Sequence, residues 1–106
     1  MTDPGEAQRL DVWLFNARFV KSRAIAGRLV AGGGVRINRQ PTGKPHARLR
    51  QGDVLTLALP AGIRVVRVLL LGGRRGPAAE ARRLFEEIPP EPPPAARRAE
   101  TERAAG

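Results

Sequence analysis

Three consecutive glycines, Gly32–Gly34, mark the point where the apolar pattern of this 106-residue chain changes its period. Before the glycines, apolar residues recur at the i, i+3, i+4, i+7 spacing of an amphipathic helix. After them, the strings VRIN and VLTLAL alternate apolar and polar residues, as half-buried strands do. A chain that passes from one period to the other at a glycine stop is expected to fold as a mixed α+β domain.

The part before the glycines predicts two helices. The first runs from Arg9 to about Phe19. Its inward stripe is Leu10, Trp13, Leu14 and Ala17. Ser22 has the residue type and position of an N-cap for the second helix, which the glycines terminate because glycine accepts the left-handed C-cap conformation. The inward stripe of the second helix is Ile25, Ala26, Leu29 and Val30.

The part after the glycines predicts a small sheet and a last helix. A loop broken by prolines follows the first strand, a Gly-Asp turn at Gly52–Asp53 precedes the second, and IRVVRVLLL reads as a third, more buried strand. Pro77 suits the first turn of a helix, which we expect to continue to about Ile88. The sequence thus predicts a loose leader over 1–8, one domain over 9–88 and a Pro-rich, disordered tail over 89–106.

Positive charge is concentrated in the first half of the chain. Residues 9–50 carry ten Lys or Arg and one acid, Asp11, whereas 89–106 are neutral. An uncompensated field of one sign attracts polyanions, nucleic acid first and anionic membrane second. On the second helix, Lys21 and Arg28 fall away from the apolar stripe and Arg23 lies on its shoulder, so that one face can pack while another presents charge.

The chain offers no set of residues typical of an enzyme. It has no cysteine and a single histidine, His46, so neither a thiolate site nor a histidine pair can form. Asp11 suits the dipole of the first helical turn, and Asp53 suits a turn. We therefore expect no catalysis, no metal and no cofactor. Without an apolar run near ~20 residues or an apolar leader, we expect a soluble, cytoplasmic protein.

Several short motifs together resemble the S4 RNA-binding domain, also called the αL motif. They are Arg9-Leu10-Asp11, Lys21-Ser22-Arg23, the glycine stop, the strand ending at Asn38, and Gly52-Asp53. Within that superfamily, the aromatic first helix and the segment 74–87 are most similar to the bacterial heat-shock protein 15 family. The resemblance covers about 9–88 and implies two N-terminal helices packed on a small, mainly antiparallel sheet.

The resemblance also implies which residues contact RNA. The residues that match the family's surface are Arg9, Arg18, Lys21, Ser22, Arg23, Arg28, Arg36, Asn38, Lys44 and Arg48. Ser22 could act as a cap alone or as a cap that also contacts RNA. Trp13 and Phe15 could stack on bases, but Trp13 lies on the apolar stripe and is expected in the core, whereas the position of Phe15 stays open.

The implied partner is ribosomal RNA on free large ribosomal subunits that carry a nascent chain, with the tRNA of that chain as a further candidate, in stress-related recycling. A monomer that does not bind membrane is expected. The alternatives are a ribosome quality-control factor of the same superfamily, an RNA-targeting subunit of an RNA-modifying enzyme, and a DNA-binding module. The family usually has Asn-Gly in its first hairpin, whereas Arg39 follows Asn38 here; a positive φ is costly for arginine, so the sequence leaves open whether Arg39 alters the turn.

Overall fold

The computed structural model describes residues 6–89, which form seven strands and three short helices. In chain order they are β1 (Ala7–Arg9), α1 (Leu10–Asn16), α2 (Arg23–Ala31), β2 (Val35–Ile37), β3 (Gln40–Pro41), β4 (Arg48–Arg50), β5 (Val54–Leu59), β6 (Gly62–Val68), α3 (Ala78–Ala81) and β7 (Phe85–Ile88). A single 3₁₀ turn, Arg82–Leu84, joins α3 to β7.

The strands form two antiparallel sheets. β1 pairs with β4, and the other five strands pair in the order β3-β2-β5-β6-β7. One face of the five-stranded sheet packs against the helices through residues such as Val35, Leu55 and Val66. This arrangement confirms the predicted α+β class with two N-terminal helices on a mainly antiparallel sheet.

Helix α1 is shorter than the sequence predicts, and it ends in a left-handed residue that is not glycine. Arg18 has φ 64°. The Phe19 N–H donates to the Leu14 carbonyl and the Arg18 N–H to the Phe15 carbonyl, the bonding pattern of a Schellman cap. The predicted end at Phe19 is wrong because this cap turns the chain three residues earlier. The four stripe residues of α1 are all buried, as predicted.

Helix α2 begins and ends where the sequence indicates. The Ser22 hydroxyl accepts a hydrogen bond from the Ile25 N–H at 3.1 Å, which confirms the N-cap. Gly33, with φ 84°, supplies the left-handed residue at the end of the helix. Ala26 and Val30 are fully buried, but Ile25 is 37% exposed. The prediction that Ile25 faces inward is therefore wrong, because it lies at the solvent edge of the stripe.

The first hairpin keeps a tight turn despite its arginine. Ile37 pairs with Gln40, so the loop contains only Asn38 and Arg39. Their φ values are 50° and 70°, and positive φ at both central positions is typical of a type I′ turn. The sequence left this turn open; in the structure it has two residues, and Arg39 adopts the conformation that usually favours glycine.

The segment after Pro77 differs most from the prediction. Only Ala78–Ala81 is α-helical, and Phe85–Ile88 forms a strand that pairs with β6. The prediction that the helix extends to Ile88 is wrong, because β7 instead forms backbone hydrogen bonds with β6. The strand conformation also places the Phe85 ring against Phe19, at 4.6 Å between centroids, and against Trp13, at 6.5 Å.

The predicted leader and tail flank the predicted domain at its two ends. The loose leader predicted for 1–8 is wrong at Ala7 and Gln8, which lie in β1 and pair with Arg50 and Leu49 of β4. The predicted disordered tail lies outside the described residues, apart from Pro89.

An ion pair between β6 and β7 allows the pairing of these two strands to be tested. Glu87 of β7 accepts hydrogen bonds from the Arg64 guanidinium of β6, and these bonds hold the pKa of Glu87 below its ordinary value of 4.5. A carboxyl whose folded-state pKa is depressed stabilises the fold above its unfolded-state pKa, and this contribution is lost as the pH falls through the folded-state pKa. We therefore expect Glu87→Gln to lower Tm at about pH 7 and to have a smaller effect at a pH below 4.5, measured by thermal unfolding.

The control for this experiment is a double-mutant cycle with Arg64→Gln. In that background Glu87→Gln should change Tm little at either pH, because the partner is already missing. An equal loss of Tm at both pH values, or no coupling in the cycle, would contradict this placement of β7.

Candidate nucleic-acid interface

A buried carboxylate organises the basic residues at the start of α1. The Asp11 side chain is only 8% exposed. Its Oδ1 accepts from the Arg9 Nε at 3.1 Å and from the Val12 N–H at 2.8 Å, and its Oδ2 accepts from the Arg9 Nη2 at 3.0 Å. The Arg23 guanidinium lies 3.9 Å from the same Oδ2. Asp11 thus brings together Arg9, which directly precedes α1, and Arg23, the first residue of α2.

The loop before β4 adds a further cation to this corner. The Pro45 carbonyl accepts a hydrogen bond from the Asp11 N–H at 3.0 Å. A Cβ added at Gly27 of α2 would lie 3.9 Å from the Pro45 ring, an ordinary van der Waals distance, so the loop packs close to the helix. Lys44, which directly precedes Pro45, is exposed.

The two-stranded sheet places two more arginines on the same face as Arg9. Arg9 of β1 and Arg48 of β4 are directly opposite partners, so their side chains leave the sheet on one face. Arg50 is two residues further along β4, and alternation places it on that face too, while Leu49 between them is buried. Arg50 is absent from the residues inferred from sequence; the R-L-R alternation in the sequence was the signal that could have identified it.

We call Arg9, Arg23, Lys44, Arg48 and Arg50, together with Asp11, the acid-centred cluster. One buried negative charge holds two of the five cations, and all five remain exposed. Such a cluster retains a net positive charge and can contact the phosphates of a folded nucleic acid.

Lys21 and Arg28 lie around a separate groove. Its apolar lining comes from the loop after α1, from α2 and from the turn between β5 and β6, and its volume is about 470 Å³. The apolar residues that line it include Phe19, Ile25, Leu29, Leu59 and Pro60. Lys21 and Arg28 are exposed, as predicted, but they line the same groove as Ile25 and Leu29. The prediction that they lie well away from the whole apolar stripe of α2 is therefore wrong at its Ile25 and Leu29 edge.

Arg36 and Asn38 lie elsewhere. Arg36 is exposed between Val35 and Ile37, which face the core, so it projects from the sheet face opposite the helices. There it lines a shallow hollow together with Arg39. The Asn38 side chain donates to Asp53 Oδ1 at 3.0 Å and accepts from the Val54 N–H at 2.9 Å. Its amide therefore stabilises the hairpin against the next turn.

Arg18 and Phe15 are both held by the segment after β6. The Arg18 Nε donates to the Gly76 carbonyl at 2.7 Å. The Arg75 guanidinium lies 4.9 Å from the centre of the Phe15 ring and donates to the Phe15 carbonyl at 3.2 Å. Phe15 therefore already stacks on a cation, and Trp13 is fully buried, as expected for a core residue.

The described residues contain no group of three or more His, Asp or Glu that could hold a metal ion. Within residues 6–89, every helix is too short to cross a membrane.

Comparison with known proteins identifies the family of this fold. The S4 domain model matches residues 8–55, which contain all ten residues inferred to contact RNA. Heat shock protein 15 of Escherichia coli K12 is 40% identical over 84 residues, which make up 79% of this chain and 62% of that protein. The Aeromonas salmonicida homolog is 37% identical over 90 residues, covering 82% and 67% of the two chains.

A solved structure agrees with these relatives. The Vibrio cholerae Heat Shock Protein 15 structure, described as trimeric, superposes with a TM-score of 0.73 at 35% identity and covers 78% of this chain and 83% of its own. The chain spans about three fifths of the length of the Escherichia coli relative. Sequence and fold together show that the chain belongs to the heat shock protein 15 family of S4-domain proteins.

Proposed function

We propose that this protein binds ribosomal RNA through the acid-centred cluster and the adjoining face of α2. The observation that carries the proposal is the fixed geometry of that cluster: Asp11 positions Arg9 and Arg23, and strand pairing positions Arg48 beside Arg9. Cations held at set positions can match the shape of a folded RNA, whereas a flexible basic tail contributes charge alone.

The finer assignment follows from the family. The bound RNA is the ribosomal RNA of free large subunits that carry a nascent chain, with the attached tRNA as a second contact, and the role is recycling under stress in the cytoplasm. No chemical step is assigned to the protein in this role. The support is the family membership and the basic surface that lies within the S4 match.

The assignment to ribosomes predicts a binding preference. Large subunits that retain peptidyl-tRNA should bind the protein more tightly than empty large subunits or small subunits. Co-sedimentation with each purified particle at a common salt concentration measures this preference. Equal association with all three would leave RNA binding in place but would contradict the ribosomal role, and stronger binding to duplex DNA than to structured RNA would contradict both.

Arg48 tests whether geometry or total charge determines binding. Arg48→Ala should weaken binding to a ribosomal RNA hairpin by roughly 1–2 kcal/mol and make the salt slope shallower by about one phosphate. Arg82→Ala is the matched control, because Arg82 is also exposed but lies in the 3₁₀ turn outside the S4 match. Fluorescence anisotropy over a salt series gives both quantities. The same loss from both variants would mean that binding follows net charge.

Replacing Asp11 distinguishes positioned cations from total charge, because the two models predict opposite changes in RNA affinity. Asp11→Asn raises the net charge of the chain, so a charge-only model predicts tighter RNA binding. We expect weaker binding by several fold, because Arg9 and Arg23 lose their common anchor, and a free energy of unfolding lower by about 1–3 kcal/mol. Anisotropy and chemical denaturation measure these two effects.

The control for Asp11→Asn is Glu80→Gln. It makes the same change of charge at an exposed carboxylate that pairs with Arg74 at 3.1 Å, and it should leave the stability nearly unchanged. Tighter RNA binding by Asp11→Asn, matching that of Glu80→Gln, would show that Asp11 does not position the site.

A further inference from the structure

The groove beside α2 is not explained by the packing of the domain. Ala26 and Val30 attach α2 to the core, whereas Ile25 stays 37% exposed at the edge of the groove. Leu29 and Leu59, which are partly buried in the core, present their remaining surface to it, and the exposed Pro60 also lines it. Single exposed apolar residues are common, but a concave apolar surface contributed by three separate elements is typical of a binding site.

The charges at the groove restrict what can occupy it. Lys21 and Arg28 are exposed and line it, and no carboxylate of the described residues does so. Neither cation belongs to the ion pairs formed among residues 6–89. The complementary ligand therefore combines an apolar, flat group with negative charge beside it. A nucleotide has both, because its base faces are apolar and its phosphates are anionic.

The position of the groove favours RNA over an acidic peptide. Lys21 and Arg23 flank Ser22, the cap of α2, so the groove and the acid-centred cluster meet at the start of one helix. A strand whose phosphates contact Arg23 can continue past Lys21 along that helix. A base paired within a duplex cannot enter a groove, because its faces are stacked; only an unpaired base can turn out of the helix.

We propose that this groove binds one unpaired nucleotide extruded from structured RNA. Its base packs on Ile25, Leu29 and Pro60, and Lys21 and Arg28 contact the neighbouring phosphates. This inference rests on the proposed RNA-binding function and adds to it a preference for bulged or looped RNA. The volume of about 470 Å³ lies within the range of roughly 300–1,000 Å³ that is usual for pockets that bind small ligands.

Two RNA hairpins that differ only in a single bulged adenosine test this inference. The wild-type protein should bind the bulged hairpin about fivefold to tenfold more tightly than the fully paired one. Ile25→Gln should remove that preference while leaving the affinity for the paired hairpin unchanged. With 2-aminopurine at the bulge, binding of the wild-type protein should change the fluorescence of the base, and Ile25→Gln should abolish the change.

Ile63→Gln is the matched control. Ile63 is more exposed than Ile25, at 65%, but lies at the other hollow, beside Arg36 and Arg39. This variant should retain the full preference for the bulge. Thermal unfolding of both variants shows whether each is folded, and Ile25→Ala provides a milder change should the glutamine lower Tm.

The possible outcomes distinguish the proposed nucleotide groove from the proposed RNA-binding function. Wild-type protein that binds both hairpins equally would overturn the nucleotide groove and leave RNA binding in place, whereas binding to neither would overturn both. Binding of a Glu- and Leu-rich peptide that depends on Ile25, without a bulge preference, would assign the groove to a protein partner. Self-association lost in Ile25→Gln, measured by sedimentation velocity, would assign it to a second copy of this chain.

Discussion

The position of the basic surface depends on hydrogen bonds between α1 and the segment that follows β6. The Trp13 indole N–H donates to the Leu70 carbonyl at 2.9 Å, and the Asn16 amide donates to the Gly72 carbonyl at 2.8 Å. Both donors are buried, so leaving either unpaired would cost about 1–3 kcal/mol. The absence of a side chain at Gly72 lets Leu84 and Asn16 pack against its backbone, because a Cβ there would lie 2.7 Å from the Leu84 side chain and 3.4 Å from the Asn16 Cβ. Helix α1, whose second residue is Asp11, is thereby fixed relative to the sheet.

The same segment decides which basic residues remain available to a partner. Arg18 is held by the carbonyl of Gly76, and Arg75 covers one face of Phe15. From β6 onward, glutamates neutralise arginines: Glu80 pairs with Arg74, Glu86 with Arg67 and Glu87 with Arg64. Among residues 9–50, by contrast, Asp11 alone pairs with arginines. The one-sided field is therefore a consequence of where the acids lie.

Local signals in the sequence were sufficient for much of this arrangement. The apolar stripe of α1, the Ser22 cap and the glycine stop each depend on neighbours within a few residues, and all three are confirmed. The pairing of β1 with β4 and of β7 with β6 joins residues far apart in sequence, so no local period indicates it. Phe85 and Ile88 fit a helical spacing, yet aromatic packing and β6 pairing place them in a strand. Arg50 is different: the local R-L-R alternation already places it on one face with Arg48, and only the partner of that face depends on the β1–β4 pairing.

The backbone itself carries strain in the basic half. Among the described residues, the non-glycine positions with positive φ are Arg18, Asn38 and Arg39, where glycine would avoid about 1–2 kcal/mol per residue. Arg18 and Asn38 recover stability through side-chain hydrogen bonds to Gly76 and to Asp53. The Arg39 side chain is exposed and makes no hydrogen bond to the described residues. What arginine adds to this turn is a positive charge beside Arg36, on the sheet face that the helices leave open.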